Sequence, residues 1–149
     1  MKSGRPTGYL NEKIQKITNL SKKEEYKKDK YPHAAMIGGE RKLFGDRRIN
    51  TNFCMSNPEA RRMFAESVVR YARKHQNVDF LHVWLADGMN NNCECENCRT
   101  KRTSDYYVQM LNELDAELTK RKNNAKIVFI MYVDTYWAPE TERLNNPDR

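Results

Sequence analysis

The sequence predicts an α/β fold, a partial parallel (β/α) barrel amounting to about half of a TIM-type barrel. Three observations carry this expectation. Helix-like and strand-like segments alternate from residue 49 onward; the returns from helix to strand are short while the connection from strand to helix at 87–103 is long; and the chain has 149 residues. A complete eight-stranded barrel takes roughly 250 residues. Alternating strands and helices build a parallel sheet with right-handed crossovers. On this reading the remainder of the barrel comes from flanking sequence outside these residues.

Residues 1–48 read as a basic, partly irregular segment leading into the barrel, and 49–149 as its βα repeats. The net charge of +7 resides in the first part, with 13 Lys and Arg against 6 Asp and Glu over 1–48 and 14 against 14 over 49–149. Lys22, Lys23, Lys27, Lys28 and Lys30 are interrupted by Glu24, Glu25 and Asp29. Such a run reads as a solvated helix face or a flexible connection, so a nucleic-acid footprint across the domain is not expected. No apolar run approaches the ~20 residues of a membrane span, and residues 1–10 lack the apolar stretch of a signal peptide. No membrane partner is expected, and the compartment is left open.

The elements follow in chain order. Residues 49–53 read as a first strand. A helix is predicted over 56–75, opened by Ser56, Asn57, Pro58 and Glu59 as an S-x-x-E capping box with proline in the first turn. Ala60, Phe64, Ser67, Val68 and Tyr71 recur on one face, Met63 widens it, and Arg61, Arg62, Glu66, Arg70 and Arg73 lie off it. Residues 78–86 are apolar at nearly every position, the pattern of a strand buried on both faces. A second helix opens at Thr103 or Ser104, with Asp105 near its positive end and Tyr107, Leu111, Leu114 and Leu118 on its apolar face. It closes at Arg121, Lys122, Asn123 and Asn124, cations followed by Asn. The next strand is predicted over 126–134.

Chain length is spent at the C-terminal ends of the strands, the face on which parallel sheets build their sites. The long loop there holds Cys93, Cys95 and Cys98 in a C-x-C-x-x-C cluster, and Cys54 follows the proposed first strand. Loops leaving adjacent strands emerge side by side, which makes four thiolates available to one tetrahedral ion, the donor set of a closed structural zinc site. An iron–sulfur cluster uses the same donors, although ferredoxin spacings are absent. A disulfide from Cys54 to one of the other three, or free thiols, is the remaining alternative.

Asp87 and Asp134 end two successive predicted strands, where an acid and a base or nucleophile for glycoside chemistry would stand. The competing role is loop capping through backbone amides. Tyr136 and Trp137 follow at once and read as a sugar-stacking platform or a packed lid. His33, His75 and His82 show no ligand spacing with one another, and His75 and His82 read as structural. The chain contains no G-x-G-x-x-G, P-loop or G-x-S-x-G motif, which removes the simplest nucleotide and serine-hydrolase readings.

The ordered motifs Tyr31-Pro32-His33-Ala34-Ala35, Gly38-Gly39-Glu40-Arg41, Phe53-Cys54-Met55-Ser56-Asn57-Pro58-Glu59, Trp84-Leu85-Ala86-Asp87-Gly88, Cys93-Glu94-Cys95-Glu96-Asn97-Cys98, Ser104-Asp105-Tyr106-Tyr107 and Asn145-Asn146-Pro147-Asp148-Arg149 resemble the bacterial family called domain of unknown function DUF4838. The resemblance runs from about Tyr31 to the last residue. It implies a barrel related to hexosaminidases and α-glucuronidases, hence a glycoside-hydrolase-like protein with a carbohydrate substrate. It also groups Cys54 with Cys93, Cys95 and Cys98, and puts Asp87 in the strand-end motif. Compared with that pattern the chain covers about half, so strands bearing further carboxylates would be missing and the piece alone is expected to be inactive. The alternative function is a zinc-stabilised binding module for nucleic acid or protein, which the basic first third would suit.

Overall fold

The computed structural model describes residues 30–149; the lysine-rich run that precedes Lys30 lies outside the described residues. The described part is a mixed α/β structure of two helices and two two-stranded sheets. Strands β1 (Met36–Ile37) and β2 (Glu40–Arg41) form an antiparallel hairpin in which Met36 faces Arg41. The two residues between them, Gly38 and Gly39, have φ of 60° and 82°. A two-residue hairpin turn with both central residues left-handed matches the strand twist, and glycine enters that region without a Cβ clash.

Helix α1 spans Pro58–Lys74. Its cap is Asn57, one residue later than the expected capping box. The Asn57 Oδ1 accepts from the backbone N–H of Glu59 and Ala60 at 2.9 and 3.3 Å, with Pro58 at the first helical position. Ser56 is thereby free to turn elsewhere. The expected apolar stripe is buried, but Arg61 lies within it at 8% exposure. Its Nε donates to both carboxylate oxygens of Glu113 at 2.9 Å and its Nη1 to the Met55 carbonyl at 2.7 Å. A guanidinium can be buried when its donors are taken up in this way.

Strand β3 (Phe80–His82) pairs in parallel with β4 (Lys126–Val128), and helix α2 (Thr103–Lys120) lies between them in sequence. This is one β-α-β unit. Burial alternates along β3: Leu81 and Val83 are inaccessible, while Phe80, His82 and Trp84 are half-buried. The expected burial on both faces is thus corrected, because α1 and α2 cover one face of the pair among the described residues. The core between helices and strands contains Phe64, Val68, Leu81, Val83, Met110, Leu111, Leu114 and Leu118. Removing a side chain such as Leu114 or Leu118 from water stabilises the fold by about 1.5–3 kcal/mol each. Tyr107, also in this core, donates its hydroxyl to the Val83 carbonyl and packs edge-on to Phe129.

Two other expectations are corrected. Residues 49–53 are not a strand: Arg48–Asn50 is a single 3-10 turn, and Phe53 makes one isolated antiparallel bridge to Ala34. The strand expected over 126–134 ends at Val128, and Val133–Thr135 is another 3-10 turn. Helix α2 ends as forecast, with Lys122 in the left-handed position (φ 53°). The Asn123 N–H returns to Leu118 O and the Lys122 N–H to Thr119 O, the paired bonds of a Schellman motif. No helix among the described residues is long and apolar enough to cross a membrane.

Asp105 does more than complement the α2 dipole. It is 1% exposed, and its Oδ1 accepts from Thr141 N at 2.7 Å, Thr141 Oγ1 at 3.0 Å and Glu142 N at 2.9 Å, tying the C-terminal segment to the first turn of α2. Burial pushes its carboxyl up, but the backbone N–H groups of Glu142, Thr141 and Glu140 outweigh this and hold it at about 2. A folded value below the unfolded one gives stability that is complete above pH ~4 and fades as pH falls toward 2. Asp105→Ala is expected to cost about 2–4 kcal/mol in urea denaturation at pH 7, with a smaller difference from the unaltered chain near pH 2. A pH-independent difference would show that the charge is immaterial there.

Candidate metal centre and adjoining pocket

Two segments far apart in sequence deliver the cysteines. The turn before α1 carries Cys54, whose N–H donates to His33 O at 2.8 Å, while Ala35 N–H donates to Asn52 O at 2.9 Å. The β3–α2 loop carries Cys93, Cys95 and Cys98, and is pinned to the hairpin by Glu94 N–H donating to Met36 O at 2.8 Å. Within it, Arg99 N–H closes a tight turn onto Cys95 O at 3.1 Å, and Tyr106 holds Asn97 O at 2.6 Å. Residues 33–36, which lead into the hairpin, are therefore the strap that brings both segments to one place.

The four Sγ atoms lie within 4.8 Å of one another, with Cys54 at 3.7 Å from Cys95 and 3.8 Å from Cys98. All four cysteines are free. A sulfur–sulfur bond is about 2.05 Å long, so these separations are not those of a disulfide. Four thiolates around one ion at about 2.3 Å stand about 3.8 Å apart, which the sulfur separations from Cys54 match. The group can hold one metal ion, as its placement on one face of neighbouring loops led us to expect.

Polar groups surround the sulfurs. Met36 N–H donates to Cys93 Sγ at 3.2 Å, Arg41 Nη1 lies 3.8 Å from the same sulfur, and Ser56 Oγ lies 3.0 Å from Cys98 Sγ and 3.4 Å from Cys54 Sγ. Hydrogen bonds from Cys93 and Cys98 hold the Cys54 thiol far below its ordinary range, and the same bond to Cys54 pushes Cys98 up. Cys95 is lowered as well and Cys93 raised, so ionisation of Cys54 and Cys95 is favoured over that of Cys93 and Cys98. Mutual repulsion opposes ionising all four unless a cation is present.

A cavity of ≈ 340 Å³ adjoins this centre at the C-terminal ends of β3 and β4. Asp87 and Asp134 both line it, with Trp84 and Tyr132. Asp134 Oδ2 accepts from Asn90 N at 3.0 Å and Asn92 Nδ2 at 2.7 Å, and Val133 before it is held at φ 50°. A β-branched residue in that region is strained, a feature that clusters at functional sites. Asp87 is exposed and is followed by Gly88 at φ 121°. The backbone conformation at Gly88 favours glycine, and a Cβ there would also crowd Asn91 Nδ2 at 3.3 Å. Tyr136 and Trp137 are 73% and 70% exposed, pack edge-to-face, and do not line the cavity.

Sequence reasoning missed the asparagines that shape the cavity. Asn52 Nδ2 donates to Asn91 Oδ1 at 3.1 Å and Asn92 Oδ1 at 3.0 Å, while its Oδ1 accepts from Ala86 N at 2.8 Å. Asn91, 1% exposed, donates to Asn50 O at 2.8 Å and Asp87 O at 3.0 Å. The run Asn90-Asn91-Asn92 beside Gly88 was the available signal. Asn52 lies two residues before Cys54 and Asn92 directly before Cys93, so the metal centre and the cavity share their supports.

Comparison with known proteins adds one finding. The model of a family described as Domain of unknown function (DUF4838) matches residues 4–147. No curated protein and no solved structure matches.

Proposed function

The chain belongs to the DUF4838 family, and from that premise we propose that it is part of a carbohydrate-active, glycoside-hydrolase-like barrel whose sugar site is the cavity beside the cysteines. The observation that carries this reading is that Asp87 and Asp134, from the loops that follow two adjacent parallel strands, line one cavity together with Trp84 and Tyr132. Carboxylates accept hydrogen bonds from sugar hydroxyls and serve as acid, base or nucleophile at an anomeric carbon. Aromatic side chains beside them offer flat apolar faces to a pyranose ring. In this reading Asp134 is the positioned carboxylate, fixed by Asn90 and Asn92, and Asp87 is its solvent-exposed partner.

The partial barrel belongs to the same proposal. Its support is the parallel pair β3–β4 with both helices on one face, and the half-buried Phe80, His82 and Trp84 on the other. In a complete barrel that second face is the interior, filled by layers of side chains from the remaining strands. We assign the metal as zinc, because four thiolates suit a borderline-soft ion without redox chemistry, and the role as structural, because four protein ligands leave no open position. Zinc when bound supplies charge neutralisation and a cross-link between the two loops; it takes no part in sugar chemistry.

The test is binding of oligosaccharides, with hexosamine- and glucuronic-acid-containing chains among them, followed by amide chemical shifts. Shifts confined to 84–92 and 130–135 are expected for at least one sugar. The proposal fails if every sugar leaves these residues unmoved.

A further inference from the structure

We propose that Arg41 is the counter-charge of the four-cysteine centre and sets how firmly its metal is held, an inference that rests on the metal reading above. A divalent ion among four thiolates leaves two negative charges uncompensated. Glu94 and Glu96, alternating with the ligands, add to that excess. The site is partly removed from water, with Cys54 2% and Cys93 9% exposed, so screening by solvent is weak.

The hairpin answers this charge. Register pairs Arg41 with Met36, and both members of the pair address Cys93: Met36 through its N–H at 3.2 Å, Arg41 through Nη1 at 3.8 Å. The same Nη1 donates to Ala34 O at 2.6 Å, which fixes the guanidinium over the sulfur. Gly38 N–H occupies Glu94 Oε2 at 2.9 Å, turning that carboxylate toward the turn. Other nearby cations are engaged or exposed: Lys101 is paired with Glu142 at 2.6 Å, and Arg99 is at the surface. A fixed positive charge beside a thiolate lowers the energy of its lone pairs, which favours the ionised ligand and reduces its reactivity toward protons and electrophiles. Arg41 is thus a positioning residue for the metal, acting through Cys93.

The experiment compares zinc release to a chromogenic chelator from the unaltered protein, Arg41→Gln and Arg41→Lys, and then the absorption spectra of the cobalt-loaded proteins. Loss of a group supporting a metal ligand typically weakens binding about 10–100-fold, and Arg41→Gln is expected in that range with Arg41→Lys close to the unaltered protein. The thiolate-to-cobalt charge-transfer band should move to longer wavelength in Arg41→Gln and not in Arg41→Lys, because raising the sulfur lone pairs lowers the transition energy. Equal release and an unmoved band overturn the proposal. Fast release with an unmoved band also overturns it, by reducing Arg41 to a tie on the hairpin through Ala34. If the unaltered protein binds neither ion, the underlying metal reading fails first, and that result is separate from any effect of Arg41.

Discussion

Cys54→Ser is expected to weaken zinc binding by about 100-fold or more and to release the 87–103 loop. Structural zinc sites contribute roughly 10–16 kcal/mol of apparent binding free energy. One ligand in four then carries on the order of 3 kcal/mol, which is about two decades of affinity. The loss reaches beyond the sulfur, since Cys54 and Cys93 stand beside Asn52 and Asn92, which hold the cavity wall and Asp134. Cys98→Ser should act alike from the opposite segment. The unaltered chain should carry close to one zinc, lose order in the loop on adding a chelator, and be indifferent to a mild reductant. Metal analysis and hydrogen exchange over 87–103 check this. Protein made under reducing, zinc-replete conditions that contains no zinc would refute the assignment, as would order lost to reductant and not to chelator.

Asp87→Asn should lower turnover of a sugar substrate by about 10²–10⁴-fold while leaving stability within about 0.5 kcal/mol. The separation of the two effects follows from the structure: Asp87 is exposed at the cavity, and it is its backbone carbonyl, not its carboxylate, that Asn91 uses. Asp134→Asn makes the contrast. Its carboxylate accepts two hydrogen bonds from the opposite loop, so removing its charge should cost about 1–2 kcal/mol of stability in addition to turnover. Kinetics and denaturant melts on both variants of the active protein check the pair. Undiminished turnover in Asp87→Asn would reduce that residue to a loop position.

Legibility followed the range of the interactions involved. The apolar face of α2, with Tyr107, Leu111, Leu114 and Leu118, was readable because a helix writes its buried side into a local period, and all four are buried. Arg61 was misplaced for the opposite reason. Its burial depends on Glu113, 52 residues away, and nothing near it in sequence announces that partner. The cap moved from Ser56 to Asn57 because the serine hydroxyl is drawn to the cysteines, a preference that a capping motif does not contain. The strands were overextended since apolar content records how readily a segment pairs, not how many neighbours are present to pair with it. Beyond Val128 the chain has no ladder partner among the described residues, and it turns at Val133–Thr135.

Family membership, the α/β alternation, and the identity of Cys54, Cys93, Cys95 and Cys98 as one group were determined by the sequence itself, since each rests on residue type and spacing along the chain. Tertiary structure alone decided the rest. That the four sulfurs lie within 4.8 Å of one another depends on residues 33–36 bonding to both loops at once. That Asp87 and Asp134 line one cavity depends on the parallel pairing of Leu81 with Ile127. The roles of Asn52, Asn91 and Arg41 depend on contacts 34 to 52 residues distant along the chain. A side-chain amide both donates and accepts and a guanidinium offers five donors, so each suits many partners and its function is set by what folding places beside it.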